Sequence, residues 1–235
     1  MTDLFGEQLS PCLKDKIHYA NRTKGRRTLY EYLNIDLFGS LQTTGKEQMP
    51  IINPIDNHID LPEEMMAFDV AYSKKNTNCI VHSYTDDRRF LRIIRNPEKY
   101  VPFLKECKAV IEPDLSQYAN MPYPIRLAHA WLNRAIAAWL QLQGVTIIQN
   151  VTWSLKDSYG YSLEGRAKNT IIAVNSTGVR NHDVSKYLWN EGYKNVVLPL
   201  SPTKILRYGN QMPNEKDDIS VYFSNPNLNK MRHGR

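Results

Sequence analysis

Three consecutive strings decide the fold: Ala109–Ser116 (AVIEPDLS), Pro124–Gly144 (PIRLAHAWLNRAIAAWLQLQG) and Val145–Trp153 (VTIIQNVTW). The first is a short apolar run closed by Glu112-Pro113-Asp114, and proline cannot donate to a strand ladder, so it marks a strand end. Asp114 and Ser116 then fall at or just past the C-terminal end of that strand. In the second string, Ile125, Ala128, Leu132, Ala135, Ile136, Trp139 and Leu140 recur at the spacing of one buried helical face. Arg126, Asn133, Arg134 and Gln141 are expected largely on the other side. Pro124 suits the first helical position and Gly144 a left-handed C-terminal stop. The third string is a β-branched run of the kind covered on both faces in parallel sheets. Strand, helix and strand make a βαβ unit, because parallel strands need a crossover connection.

Working outward, strand patterns are expected over Met49–Ile55, Met65–Tyr72, Cys79–Tyr84, Thr170–Val174, Asn195–Leu198 and Ile219–Phe223. Helical patterns run around Phe90–Ile94, over Glu98–Cys107 and over Asp183–Glu191, with a helical turn at Thr203–Tyr208. Ser154–Arg166 reads as a loop carrying Tyr159 and Tyr161, candidates for stacking on a base. From residue 79 onward strands alternate with helices or loops, which predicts an α/β fold of mostly parallel strands with helical crossovers. The architecture expected is an irregular or incomplete β/α barrel, with an open parallel sheet as the alternative. The chain divides into a basic flexible arm (1–28), a single α/β domain (29–212) and a C-terminal strand with a polar basic tail (213–235).

Net charge is +6 over 235 residues, and its placement matters more than its size. Residues 1–28 hold six lysines and arginines against three acids, so half of the excess sits in the leading arm. Arg22, Lys24, Arg26 and Arg27 are the candidate nucleic-acid contacts there. No stretch approaches the roughly 18 apolar residues of a membrane span, and the N-terminus lacks the charged start and apolar core of a signal peptide. Three widely spaced cysteines, Cys12, Cys79 and Cys107, fit reduced thiols and a cytoplasmic setting. HExxH, GxSxG, GxGxxG and P-loop patterns are all absent.

Parallel α/β sheets bind ligands at the C-terminal ends of their strands. Each expected strand from Cys79–Tyr84 onward delivers small polar or acidic residues there: Asp86 and Asp87; Asp114 and Ser116; Asn150 and Thr152, with Trp153; Asn175, Ser176 and Thr177; Ser201. Capping and turn formation favour the same residue types, and that account stays open beside a functional one. Asp86 and Asp114 are the candidate catalytic pair, for acid–base work or for holding Mg²⁺ or Mn²⁺ through oxygen ligands. Asp87, Ser116, Asn150, Trp153, Asn175, Ser176 and Gly178 are the candidate ligand-binding set.

The order VHSYTDDRRF, NPEKY, AVIEPDLS, the NR…WLQLQG helix, IIQNVTW, IIAVNSTG and VVLPLSP, over residues 49–210, resembles an uncharacterised domain-of-unknown-function family of phages, plasmids and other mobile elements. The resemblance implies a phage or mobile-element origin and the cytoplasm of a bacterial host. It brings no reaction with it. Two functions follow from the residues: action on a nucleotide or nucleic acid in the strand-end pocket, or a non-enzymatic adaptor contacting DNA or a host or phage protein.

Overall fold

The computed structural model describes residues 33–85, 87–213, 215 and 220–223. Asp86, the arm with Arg22, Lys24, Arg26 and Arg27, and the tail beyond Phe223 lie outside the described residues. A hairpin of β1 (Thr43–Thr44) and β2 (Met49–Pro50) precedes the main sheet. The sheet contains β3 (Met65–Ala67), β4 (Ile80–His82), β5 (Ala109–Ile111), β6 (Ile147–Asn150), β7 (Ile171–Asn175), β8 (Lys204–Tyr208) and β9 (Ser220–Phe223). These seven lie side by side in chain order and every neighbouring pair is parallel.

Consecutive order fixes the layering. Right-handed crossovers between neighbouring parallel strands keep their connecting helices on one face, and the sheet curls away from them. The result is a half-barrel, open because β3 and β9 are the edges of the sheet. The helices are α1 (Phe68–Lys74), α2 (Asp87–Arg95), α3 (Pro97–Glu106), α4 (Tyr123–Leu142), α5 (Tyr159–Leu163) and α6 (Asp183–Gly192).

The inner face carries Ile80, Ala109, Ile111, Ile148, Ile171, Ala173 and Leu206. A closed barrel would cover these with its missing strands; here Ile55, Ile59 and Leu61 of an irregular segment pack on them. Polar bonds hold that segment at the strand N-terminal ends. Thr170 Oγ1 donates to Ile55 O (3.1 Å), Asn57 Nδ2 to Asn169 O (2.9 Å) and Thr203 Oγ1 to Asn57 Oδ1 (2.7 Å). Pro50 and Pro54 remove ladder donors, so the strand expected over Met49–Ile55 shrinks to Met49–Pro50.

The helix-side face packs Ile172, Val174 and Ile205 against Trp189, Tyr193, Val196, Val197 and Leu200. The strand expected at Asn195–Leu198 is instead a π-helical turn (Tyr193–Val197) running on from α6 and a 3₁₀ turn, Leu198–Leu200. Val196 and Val197 are β-branched because they are fully buried, which a helical turn achieves equally well. Conversely, Thr203–Tyr208 is mostly strand β8 rather than a helical turn. The expected strand Met65–Tyr72 becomes helix α1 after Ala67, and the Ser154–Arg166 loop contains α5, which buries Tyr161 rather than offering it to a base.

Helix α4 starts one residue before Pro124, and Gly144 takes the expected left-handed conformation, φ +86°. Its polar side is a correction: Arg126, Asn133 and Arg134 are buried, at 3%, 1% and 1% exposure. The loop around α5 covers that side, so α4 is enclosed almost all round in its second half. No helix among the described residues is long and apolar enough to cross a membrane.

Candidate functional site

Asp114 stands where the sequence places it, just past β5. Three bonds fix the loop that carries it. Asp114 N donates to Ser83 Oγ (2.9 Å), Leu115 N to Asn133 Oδ1 (2.9 Å), and Ser116 N reaches Asp87 Oδ2 at 3.4 Å. Asn133 of α4 returns a long bond from Nδ2 to Leu115 O (3.5 Å), so the helix side chain clamps both backbone groups of Leu115.

The Asp114 carboxylate is gripped from two further strands. Asn150 Nδ2, at the end of β6, donates to Oδ1 (3.2 Å), and Asn175 Nδ2, at the end of β7, donates to Oδ2 (3.1 Å). Asn150 is oriented in turn by Tyr84, whose hydroxyl donates to its Oδ1 (3.0 Å). Asn175 Oδ1 accepts from Thr177 N (3.0 Å). Burial pushes the Asp114 carboxyl up to about 6, and the two amide bonds only partly offset that. Such a group is mostly ionised at neutral pH yet close to its titration, as a proton acceptor should be.

Behind this grip, His82, Tyr84 and Tyr208 form an aromatic cluster with ring centroids 4.5–5.0 Å apart. Burial lowers His82 to about 4, so its ring is neutral, and raises Tyr84 well above the usual phenol range, so its hydroxyl stays a donor. Neither Tyr84 nor Tyr208 was singled out by sequence. The signal was present: Ile80, His82 and Tyr84 follow a period of two along one strand and therefore share a face.

Beneath Asn150 lies a buried ionic network that sequence reasoning also missed, reading Glu112 as a strand terminator. Glu112 pairs with Arg166 through Oε2 (2.6 Å) and Oε1 (3.2 Å), and with Arg134 Nε at 3.4 Å. All three side chains are at most 2% exposed. Asn150 is tied to the network by both backbone groups: its N–H donates to Glu112 Oε2 (3.0 Å) and its carbonyl accepts from Arg166 Nη2 (2.7 Å). Burial, with the neighbouring Arg166 charge, lowers Arg134 to about 9.

A cavity of about 480 Å³ opens above Asp114, inside the range of roughly 300–1,000 Å³ usual for small-molecule sites. Tyr84, Asp114, Ser116, Trp153 and Asn175 all line it. Trp153 donates its Nε1 to Leu188 O (2.9 Å) and packs on Trp189, 5.1 Å between ring centroids. Asn150 lies under the floor. Asp87 meets the Ser116 backbone without lining the cavity. Ser176 turns away, donating to Asn210 O (2.6 Å), and Gly178 supplies a left-handed turn, φ +80°, before a 3₁₀ turn at Val179–Asn181. Helix α6 begins only at Asp183, which is a first-turn residue bonded to Lys186 rather than its cap.

The described residues do not by themselves make an oxygen cage for Mg²⁺ or Mn²⁺. No three of the described His, Cys, Asp and Glu residues cluster in a way that could hold an ion. Both Asp114 oxygens already accept amide N–H bonds. Asp86, the expected second ligand, lies outside the described residues.

Fold and site together define an open β/α half-barrel with the Asp114 carboxylate at the floor of a strand-end cavity. The chain belongs to the family described as Domain of unknown function (DUF4417), whose profile matches residues 43–225, wider at both ends than the 49–210 read from short strings. The Gene 1 protein of Mycobacterium phage L5 is 24% identical over 184 residues, 77% of this chain and 78% of that protein. The Gene 1 protein of Mycobacterium phage D29 is 26% identical over 129 residues, 55% of this chain and 48% of that protein, so the match spans about half of the D29 protein. No solved structure matches the chain. It is thus a member of an uncharacterised family with phage relatives.

Proposed function

We propose that this protein binds a nucleotide or nucleic acid in the strand-end cavity and that Asp114 is the ionisable centre of the site. The observation that carries this reading is the grip on Asp114. Side chains from β6 and β7 converge on a carboxylate presented after β5, each spending its amide N–H on that carboxylate while its oxygen accepts from Tyr84 or from the Thr177 backbone. Packing alone would not favour a carboxylate whose ionisation burial opposes. The roles follow from position. Asp114 accepts a hydrogen bond or proton, Asn150 and Asn175 hold it, Tyr84 fixes Asn150, and Trp153 offers a flat apolar wall. The excess positive charge of residues 1–28, with Arg22, Lys24, Arg26 and Arg27, supplies sequence-independent attraction for phosphates.

A second reading, an adaptor that docks on a host or phage protein, draws on α6. Val184 and Tyr187 are 70% and 64% exposed on the helix that also lends Ser185, Leu188 and Trp189 to the cavity wall.

One experiment separates the two. The melting temperature of the purified protein is followed with nucleotides, short DNA and RNA oligomers and divalent metals, at low and high salt. A bound ligand raises it by mass action. The cavity reading expects a rise with a nucleotide or oligomer that disappears in a folded Asp114→Ala variant. A rise that survives Asp114→Ala, or none with any nucleotide or oligomer, removes it.

A further inference from the structure

We infer that the cavity takes the uncharged ring of a nucleobase or nucleoside, reading its edge with Asp114 and stacking it at Trp153, and leaves phosphate outside. This rests on the proposed function and names the part of the nucleotide that the site recognises.

Charge comes first. Asp114 is the one charged residue among the described residues that line the cavity; no lysine, arginine or histidine joins it. A phosphate placed inside would face a carboxylate without a counter-charge, the least favourable arrangement in a partly desolvated site. The other lining groups are hydroxyls and amides, such as Thr152, Gln117 and Asn175, together with the indoles of Trp153 and Trp189. A flat apolar wall beside hydrogen-bonding groups suits a planar heteroaromatic ring.

The polar groups of the wall set what the ring must present. An ionised carboxylate only accepts, whereas amides and hydroxyls such as Gln117 and Thr152 both donate and accept. The complementary ligand therefore presents an N–H toward Asp114 and further donors or acceptors toward its neighbours. A base edge carries both kinds, as amino or ring N–H and as ring nitrogen or carbonyl.

The test is isothermal titration of the full chain with adenosine, guanosine, cytidine, thymidine and uridine, their 5′-monophosphates, ribose 5-phosphate and inorganic phosphate. At least one nucleoside is expected to bind, with its 5′-phosphate changing affinity less than about threefold, and neither ribose 5-phosphate nor phosphate binding. Trp153→Leu removes the stacking face and is expected to weaken that nucleoside about tenfold. Asp114→Ala removes the acceptor and is expected to weaken it by a similar factor. Binding of ribose 5-phosphate or phosphate with all nucleosides silent overturns the inference while leaving a nucleotide site standing. Silence of every nucleoside, nucleotide and oligomer overturns both. Full affinity in a folded Trp153→Leu also overturns it.

Discussion

At the scale of single residues, Asp114 and His82 titrate in opposite senses. Asp114 is raised from 3.8 to about 6, so between those values the folded protein binds more protons than the unfolded chain and stability falls as pH rises. His82 is lowered from 6.5 to about 4, so in its window the unfolded chain binds more protons and stability rises with pH. The two largely mask one another in the wild type. Comparison with Asp114→Asn isolates the first, because His82 is common to both proteins. The stability of wild type minus variant is expected to fall from pH 4 to pH 6 and to level off above pH 7. Chemical denaturation at each pH measures it, and a difference that grows with pH would contradict the raised carboxyl. Gly192 offers a second residue-scale test, since a Cβ there would overlap the Trp153 indole. Alanine in a helix ordinarily gains about 1 kcal/mol over glycine, but overpacking costs about 1–3 kcal/mol. Gly192→Ala is therefore expected to be destabilising and to shift Trp153 fluorescence, the Leu188 bond being broken; a stabilised protein with native fluorescence would show that the wall yields freely.

At the scale of elements, the Glu112–Arg134–Arg166 network joins α4, the end of β5 and the chain after α5, and is hydrogen-bonded to the site through the backbone of Asn150. Buried ion pairs are poor sources of net stability, because desolvation consumes much of the attraction. Removing one partner is another matter, since it strands buried charge. Glu112→Gln takes from two buried arginines the carboxylate they share and is expected to cost about 3–5 kcal/mol in urea unfolding. Replacing all three by apolar residues of similar volume is expected to recover much of that loss while weakening ligand binding, because Asn150 loses its anchor. Equal binding in the triple variant would reduce the network to a packing role.

At the scale of the whole molecule, the proposed function assigns the nucleobase to the half-barrel and the phosphates to the basic residues 1–28. Deleting residues 1–28 is expected to leave nucleoside affinity unchanged and to weaken oligonucleotides in a salt-dependent way. If Arg22, Lys24, Arg26 and Arg27 each neutralise a phosphate, the slope of log affinity against log salt flattens by about 3 for a single strand. An unchanged slope would place the phosphate contacts elsewhere, with the arginine-rich α2 the next surface to examine.

Local pattern was enough to read the βαβ unit, the parallel α/β class, Gly144 as a helix stop and the polar residues at strand ends, because periodicity, proline and glycine act on the backbone within a few residues. It failed where burial rather than backbone preference selected the residue: Val196 and Val197 in a helical turn, Arg134 inside α4. Whether the strand-end residues meet is a different kind of fact. Asp114, Asn150 and Asn175 share hydrogen bonds because β5, β6 and β7 pair in one register and because Asn133 and Ser83 pin the loop between them. Register and loop packing are set by apolar surface buried between segments far apart in the chain, and a pattern read along one strand carries no record of its neighbour. Local pattern therefore dictates which residues arrive at the sheet's C-terminal end, whereas packing between distant segments brings Asn150 and Asn175 onto the carboxylate of Asp114 and leaves Ser176 and Gly178 to the turn beside it.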